Sequence, residues 1–275
     1  MEQIKQVVLL TGASAGIGKA TAELLVQNGL IVYGASRSGS EAYENLETGG
    51  KYIPVKMDVN NENDIQTVVQ QIITDYGYLN VVIANAGNGI AGAIEETSID
   101  EMRFQFETNF FGVVKTIQAC IPIFRNQGSG KIITISSLAG IIPIPFQTFY
   151  SSVKAALMLF MNGLAIELKP FGIQCCTILP GDTKTDFTAN RKYTQASQNE
   201  KSIYYKTLKK SVARMEQDEQ NGMSATAVAK CIVKQVVNSK VHSFYVSGLI
   251  NQFYYHLFNI LPTNWRLWII SKIYA

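Results

Sequence analysis

Short, largely apolar runs punctuate the chain at residues 7–10, 30–33, 52–57, 79–84, 131–135 and 173–179, the first of them apolar throughout. Each has strand length and lacks the apolar–polar alternation of a half-exposed strand, so each predicts a strand buried on both faces. Between them lie longer stretches with helical spacing. One covers 19–28 and is stopped by Gly29; others cover 64–76 and 99–124; another carries Tyr150 and ends near Pro170. A helix over 224–237 and a seventh strand at 244–246 complete the series. Strands alternating with helices at this interval predict right-handed crossovers. The expected fold is α/β, a doubly wound parallel sheet of about seven strands with helices on both faces, in one domain spanning residues 1–275.

Two stretches leave this rhythm. Residues 183–223 are polar with only short helical hints, which predicts either a loop over a substrate site or a surface insertion. Residues 249–275 form an aromatic-rich extension with Trp265 and Trp268 after Pro262. This tail reads as a subunit interface or lid, as a helix lying on a membrane with Trp and Tyr at headgroup level, or as plain core packing.

Composition narrows the function classes. With 47% hydrophobic and 16% charged residues the chain is globular. A net charge of +3, widely dispersed, excludes nucleic acid as the expected partner. Four cysteines show no Cys-x-x-Cys spacing, and Cys175 and Cys176 point to opposite faces of one strand. They read as buried thiols, and with only two isolated histidines no metal site and no Ser-His-Asp triad is expected. No uninterrupted apolar run reaches the ~18 residues of a spanning helix. Residues 1–6 run straight into a strand, leaving no room for a signal peptide, and a reducing, cytoplasmic setting is expected.

The chemistry is concentrated at strand ends. Tyr150 and Lys154 stand four apart and so share a helix face. An ammonium beside a phenol favours the phenolate, which makes a tyrosine a usable proton donor and acceptor. After the first strand comes Thr11-Gly-Ala-Ser-Ala-Gly-Ile-Gly18. Gly12, Gly16 and Gly18 suit a tight turn, a close approach for a pyrophosphate and close helix packing, with Ser14 and Ile17 in the same turn; a helix N-terminus then offers amides to phosphate.

With Asp58-Val59, Asn85-Ala86-Gly87, Asn109, Ser137 and Pro180-Gly181 added in order, the chain resembles the short-chain dehydrogenase/reductase family over roughly residues 5–250. Tyr150 lies 13 residues after Ser137, and Ser137 lies 28 after Asn109, which fits that family's Asn-Ser-Tyr-Lys tetrad. The resemblance implies that Tyr150 exchanges a proton with the substrate oxygen and that Ser137 orients that oxygen. Lys154 would hold the nicotinamide ribose, and Asn109 would position a water in a proton relay. Ser136 is a rival to Ser137 by residue type, assigned to strand-end hydrogen bonding. Asn85, Ala86 and Gly87 would line the adenosine ribose. Asp58 would accept from adenine, with Val59 supplying a backbone contact, unless Asp58 is a turn or capping aspartate. Beyond Pro180 and Gly181, Thr183 and Thr185 can bond the carboxamide and pyrophosphate.

Cofactor choice is read at the end of the second strand. Ser36, Arg37 and Ser38 stand there with no carboxylate before Glu41. Guanidinium suits a 2′-phosphate, so NADP(H) is expected over NAD(H), the alternative for Arg37 being simple stacking on adenine. The substrate is expected to be a hydrophobic alcohol or ketone, such as a hydroxysteroid or another lipid-like carbonyl. It would be walled by residues 141–146 with Phe149, Phe187 and Tyr193, each of which can equally be local core. A 3-oxoacyl thioester or small ketone, and a catalytically silent nucleotide-binding scaffold, are the alternatives. A homodimer or homotetramer is expected, and peripheral membrane contact through the tail remains open.

Overall fold

The computed structural model describes residues 5–274; the expectation about the first residues falls largely outside them. In chain order the elements are β1 (Val7–Thr11), α1 (Gly16–Gln27), β2 (Ile31–Ser36), β3 (Tyr43–Asn45), β4 (Gly50–Lys56), α2 (Glu62–Tyr76), β5 (Val81–Ala84) and β6 (Ile90–Ala91). Then follow α3 (Ile99–Phe106), α4 (Gly112–Gln127), β7 (Gly130–Ile135), α5 (Thr148–Leu168), β8 (Ile173–Leu179), β9 (Thr183–Lys184) and β10 (Lys192–Tyr193). The chain closes with α6 (Tyr205–Gln220), β11 (Met223–Ser224), α7 (Ala225–Val237), β12 (Phe244–Val246), α8 (Leu249–Ile260) and α9 (Thr263–Tyr274).

The main sheet has eight strands in the order β12-β8-β7-β5-β1-β2-β4-β3. All neighbours are parallel except the edge strand β3, which runs antiparallel to β4. β1 shows why its sequence is apolar throughout. Val7 and Leu9 join the core under α4 and α5 with Ile117, Phe124 and Leu157, whereas Val8 and Leu10 join the core under α1 and α7 with Leu25 and Ile232. Each such side chain contributes about 1.5–3 kcal/mol on full burial. Cys175 and Cys176 divide in the same way, one to each core. Among the described residues α5 and the turn after it, Thr148–Phe171, are long and apolar enough to cross a membrane by length and composition. This helix packs on β8 and β7's end and carries Tyr150 and Lys154.

Three features depart from the sequence reading. The sheet has one strand more than expected, because β3 is short and polar and signals nothing by pattern. The expected helix over 99–124 is interrupted at Glu107–Phe111 by a π-turn that contains Asn109. The polar stretch 183–223 holds the 16-residue helix α6, whose Leu208, Val212 and Met215 form a small separate core. The β9–β11 pairing closes that excursion at its base.

Candidate active site

The strand order reverses between β1 and β5, and a crevice opens there at the carboxyl ends of the parallel strands. The crevice is a cavity of about 1590 Å³. A site for one small ligand typically occupies ~300–1,000 Å³, so two molecules fit side by side.

Its floor is the turn from β1 into α1. Gly12 (φ +67°) and Gly16 (φ +53°) adopt left-handed backbone, and a Cβ on Gly12 would stand 2.9 Å from Ala86 Cα. Asn85 braces the turn, its Nδ2 donating to the carbonyls of Thr11 and Gly12, both at 3.1 Å. Thr11 Oγ1 accepts from the amides of Asn85 and Ala86. The first turn of α1 has no side-chain cap at Ala15, so its amides remain available where they line the cavity. That is the arrangement a pyrophosphate requires. Gly18 lies behind the cavity, where a Cβ would strike the Gly12 carbonyl. It serves the packing role rather than contact.

Ser14, Ile17, Arg37, Ser38, Asp58, Val59, Asn85, Ala86, Gly87, Pro180, Gly181, Thr183 and Thr185 all line this cavity. Arg37 is exposed at the end of β2, and the Ser36 hydroxyl donates to the Ser38 carbonyl, holding that turn in place. Asp58 accepts from the Asn60 amide at 2.9 Å, so one of its oxygens performs the turn role weighed against adenine contact. Thr183 Oγ1 donates to the Gly181 carbonyl, and Thr185 Oγ1 accepts from Phe187 N.

The reactive cluster sits where β7 ends against α5. Three consecutive residues of the strand end each grip the helix. The Ile135 carbonyl accepts from Lys154 Nζ at 2.7 Å, Ser136 Oγ donates to the Lys154 carbonyl at 2.8 Å, and Ser137 is hydrogen-bonded to the Tyr150 phenol. Ser136 is thus spent on bracing the helix, and Ser137 is the serine beside the Tyr150 phenol. Lys154 Nζ lies 5.6 Å from the Tyr150 ring centre.

Burial pushes the Tyr150 phenol up to about 12; the Ser137 hydrogen bond pulls it down, and the Glu219 carboxylate adds to the rise. Burial also lowers the Lys154 ammonium to about 8. The sequence argument that Lys154 depresses the phenol is therefore not met in the protein alone. Both groups lose solvation, and the ammonium is committed to a backbone carbonyl.

Asn109 stands apart from the other three. It is buried outside the cavity lining, and its side chain is spent on Asn88: Nδ2 donates to the Asn88 carbonyl at 2.7 Å and Oδ1 accepts from the Asn88 amide at 2.8 Å. Its observed work is to fix the segment after β5 that forms one cavity wall.

The wall residues sort unequally. Ile142, Ile144 and Phe187 line the cavity, with the Phe187 ring 5.6 Å from that of Tyr150. Phe146 and Tyr193 pack instead on the small α6 core, and Phe149 is not in the lining. Three groups escaped the sequence reading. Asp182 faces the cavity; lost solvation there pushes its carboxyl up to about 6, and Asp218 and Glu219 add to the rise. Glu219 is ion-paired to the buried Arg191, joining α6 to the loop beside Phe187. Gln147 lines the cavity at 3% exposure, with Nε2 lacking any partner. It follows Phe146, the one non-glycine at positive φ (62°) among the described residues. A glutamine ending an apolar run one helical turn before Tyr150 was the available signal.

The tail closes the far side. Asn251 of α8 packs against Gly181, and Leu257, Phe258, Ile269, Ile270 and Ile273 of α8 and α9 line the cavity. The tail thus roofs the cavity, and Tyr255 and Tyr274 also pack on buried clusters below it.

A family model described as short chain dehydrogenase matches residues 6–196. The chain is 42% identical over 232 residues to a 3-ketodihydrosphingosine reductase of Bacteroides thetaiotaomicron, covering 84% of this chain and 83% of that protein. It is 31% identical to a probable short-chain type dehydrogenase/reductase of Helicobacter pylori, over 94% of this chain and 93% of that one. Among solved structures, a short-chain dehydrogenase from Streptomyces avermitilis superimposes with a TM-score of 0.78 at 28% identity, covering 94% of each chain. A short-chain dehydrogenase/reductase from Burkholderia phymatum, solved in complex with NAD, shares the fold with a TM-score of 0.77 at 22% identity over 94% of each chain.

Proposed function

From the premise that this chain belongs to the short-chain dehydrogenase family, oxidoreductases acting on carbonyl and alcohol groups, we propose that it is an NADP(H)-dependent reductase of a lipid-like ketone. The observation that carries the substrate class is the composition of the cavity wall. Ser137 and Tyr150 meet a lining that α8 and α9 make aliphatic through Leu257, Ile269, Ile270 and Ile273. A long hydrocarbon chain matches that wall. The relative's substrate, 3-ketodihydrosphingosine, is a ketone on such a chain with an adjacent amine, and Asp182 in the same cavity offers a carboxylate to an ammonium.

The glycine turn and the uncapped start of α1 would hold the pyrophosphate, with Arg37, Ser14 and Ser38 on a 2′-phosphate and Asp58 beside the adenine. Thr183 and Thr185 would meet the nicotinamide side. The bound reduced nicotinamide supplies the hydride. The chain's own residues handle the oxygen. Ser137 donates a hydrogen bond to the substrate carbonyl and fixes its direction. Tyr150, whose high pKa keeps it protonated, releases its proton to that oxygen as negative charge develops there. Lys154, held by Ile135, stands 5.6 Å from the centre of the phenol ring and would hold the nicotinamide ribose. Phe187 and the α8–α9 wall exclude water from the reacting carbon.

The test follows NADPH and NADH oxidation with four ketones: a long-chain 2-amino-3-ketone, the same chain without the amine, a steroid ketone and a 3-oxoacyl thioester. Preference for the long-chain aminoketone with NADPH is expected. Turnover restricted to the thioester or to short ketones, or a preference for NADH, overturns the reading.

A further inference from the structure

The two C-terminal helices have an outer surface that the catalytic cavity does not use. Of the twenty large hydrophobic side chains exposed among the described residues, ten lie on α8 and α9. Phe253 (58%), Ile260 (81%), Trp265 (65%) and Trp268 (63%) face outward and do not line the cavity. The inner side of the same helices is apolar as well, through Ile269, Ile270 and Ile273. α9 is thus apolar on both sides, a pattern water alone does not satisfy.

We propose that the α8–α9 hairpin docks on an anionic phospholipid surface, so that the cavity it roofs opens toward the lipid. Three observations select this occupant. Residues 249–275 contain Arg266 and Lys272 and no Asp or Glu, which complements an anionic headgroup layer. The tryptophans and Tyr254 are side chains that favour the headgroup level. Each helix has 12 residues, about 18 Å, well short of the ~30 Å hydrocarbon core, so the hairpin lies in the interface and does not span it. The cavity is continuous with this surface, since Ile250, Tyr254 and Leu257 of α8 line the cavity and are also exposed. The inference stands independently of which ketone is reduced.

The chain's two tryptophans both stand on this surface, so native fluorescence reports it directly. The full-length protein is titrated with vesicles of phosphatidylcholine alone and of phosphatidylcholine mixed with phosphatidylglycerol. Tryptophan emission and flotation in a density gradient are read in parallel. A blue shift and co-flotation are expected with the anionic vesicles, weaker with the neutral ones. The double variant Phe253→Ser/Ile260→Ser should lose about tenfold or more in apparent vesicle affinity while keeping its turnover of a water-soluble ketone. No shift with either vesicle overturns the proposal. So does a blue shift produced by protein concentration without lipid, which assigns the surface to a second copy. Flotation of the double variant equal to the parent also overturns it, because another surface then binds.

Discussion

Ser136 fixes Lys154 by its backbone: the buried Ser136 hydroxyl donates to the Lys154 carbonyl at 2.8 Å. The neighbouring Ile135 carbonyl holds the same lysine by its side chain, so the strand end sets both where the helix lies and where its ammonium points. Ser136→Ala should cost about 1 kcal/mol of stability, the usual worth of one such bond. It should lower kcat severalfold with little change in NADPH affinity. Urea unfolding and steady-state kinetics read the two effects separately, and an unchanged kcat would refute the positioning role.

Tyr150→Phe removes the proton donor and leaves the glycine turn untouched. A loss of about 10²–10⁴ in kcat is expected. NADPH should still bind, seen by its fluorescence enhancement. Retained turnover would exclude Tyr150 as the acid.

Lys154 carries a pH signature. Its folded pKa is depressed from 10.5 to about 8 by burial. The unfolded state therefore binds more protons between those values, so this group adds stability as pH rises through that window. Lys154→Met lacks this contribution. The difference in thermal midpoint between parent and variant should move in the parent's favour as pH is raised from about 8 towards 10.5. A constant difference would mean that the ammonium is not desolvated.

Gln147→Leu should separate stability from function. The amide nitrogen is buried without a partner, and such a group costs about 1–3 kcal/mol in a folded protein. The leucine variant should melt at an equal or higher temperature. Its kcat/KM should fall for a ketone bearing a neighbouring polar group and stay level for a plain long-chain ketone. A lower melting temperature would mean that the amide is satisfied in solution.

Arg37→Asp should reverse cofactor choice. A hydrogen bond to a charged group is worth about 1.5–3 kcal/mol, so NADPH affinity should fall roughly tenfold to a hundredfold. NADH affinity should hold or improve. Equal effects on both cofactors would assign Arg37 to stacking.

The sequence made the scaffold legible wherever burial on both faces forced apolar runs, as in β1 and, around Gln174 and Thr177, in β8. It also revealed the residues whose spacing is set by local geometry, namely the glycine turn and the Tyr150–Lys154 helix pair. It failed where long-range packing decides. β3 owes its existence to β4 rather than to its own residues. The pKa of Tyr150 depends on desolvation, which neighbours in sequence do not report. The Glu219 carboxylate reaches the surroundings of Tyr150 only because the 183–223 excursion folds back, and the π-turn directs the Asn109 side chain at Asn88.

The pairing of Thr183 with Met223 and of Lys184 with Ser224 means that the excursion leaves and rejoins the scaffold at one point. Between these pairs the segment, α6 included, is also held by the β10–β6 pairing and by bonds from Ser202 to Glu96 and from Tyr204 to Glu95, none of them on the main sheet. Such a segment can be shortened, lengthened or exchanged without shifting a strand of the main sheet. A lineage, or an engineer, can thus change which substrate is admitted while inheriting the cofactor platform intact.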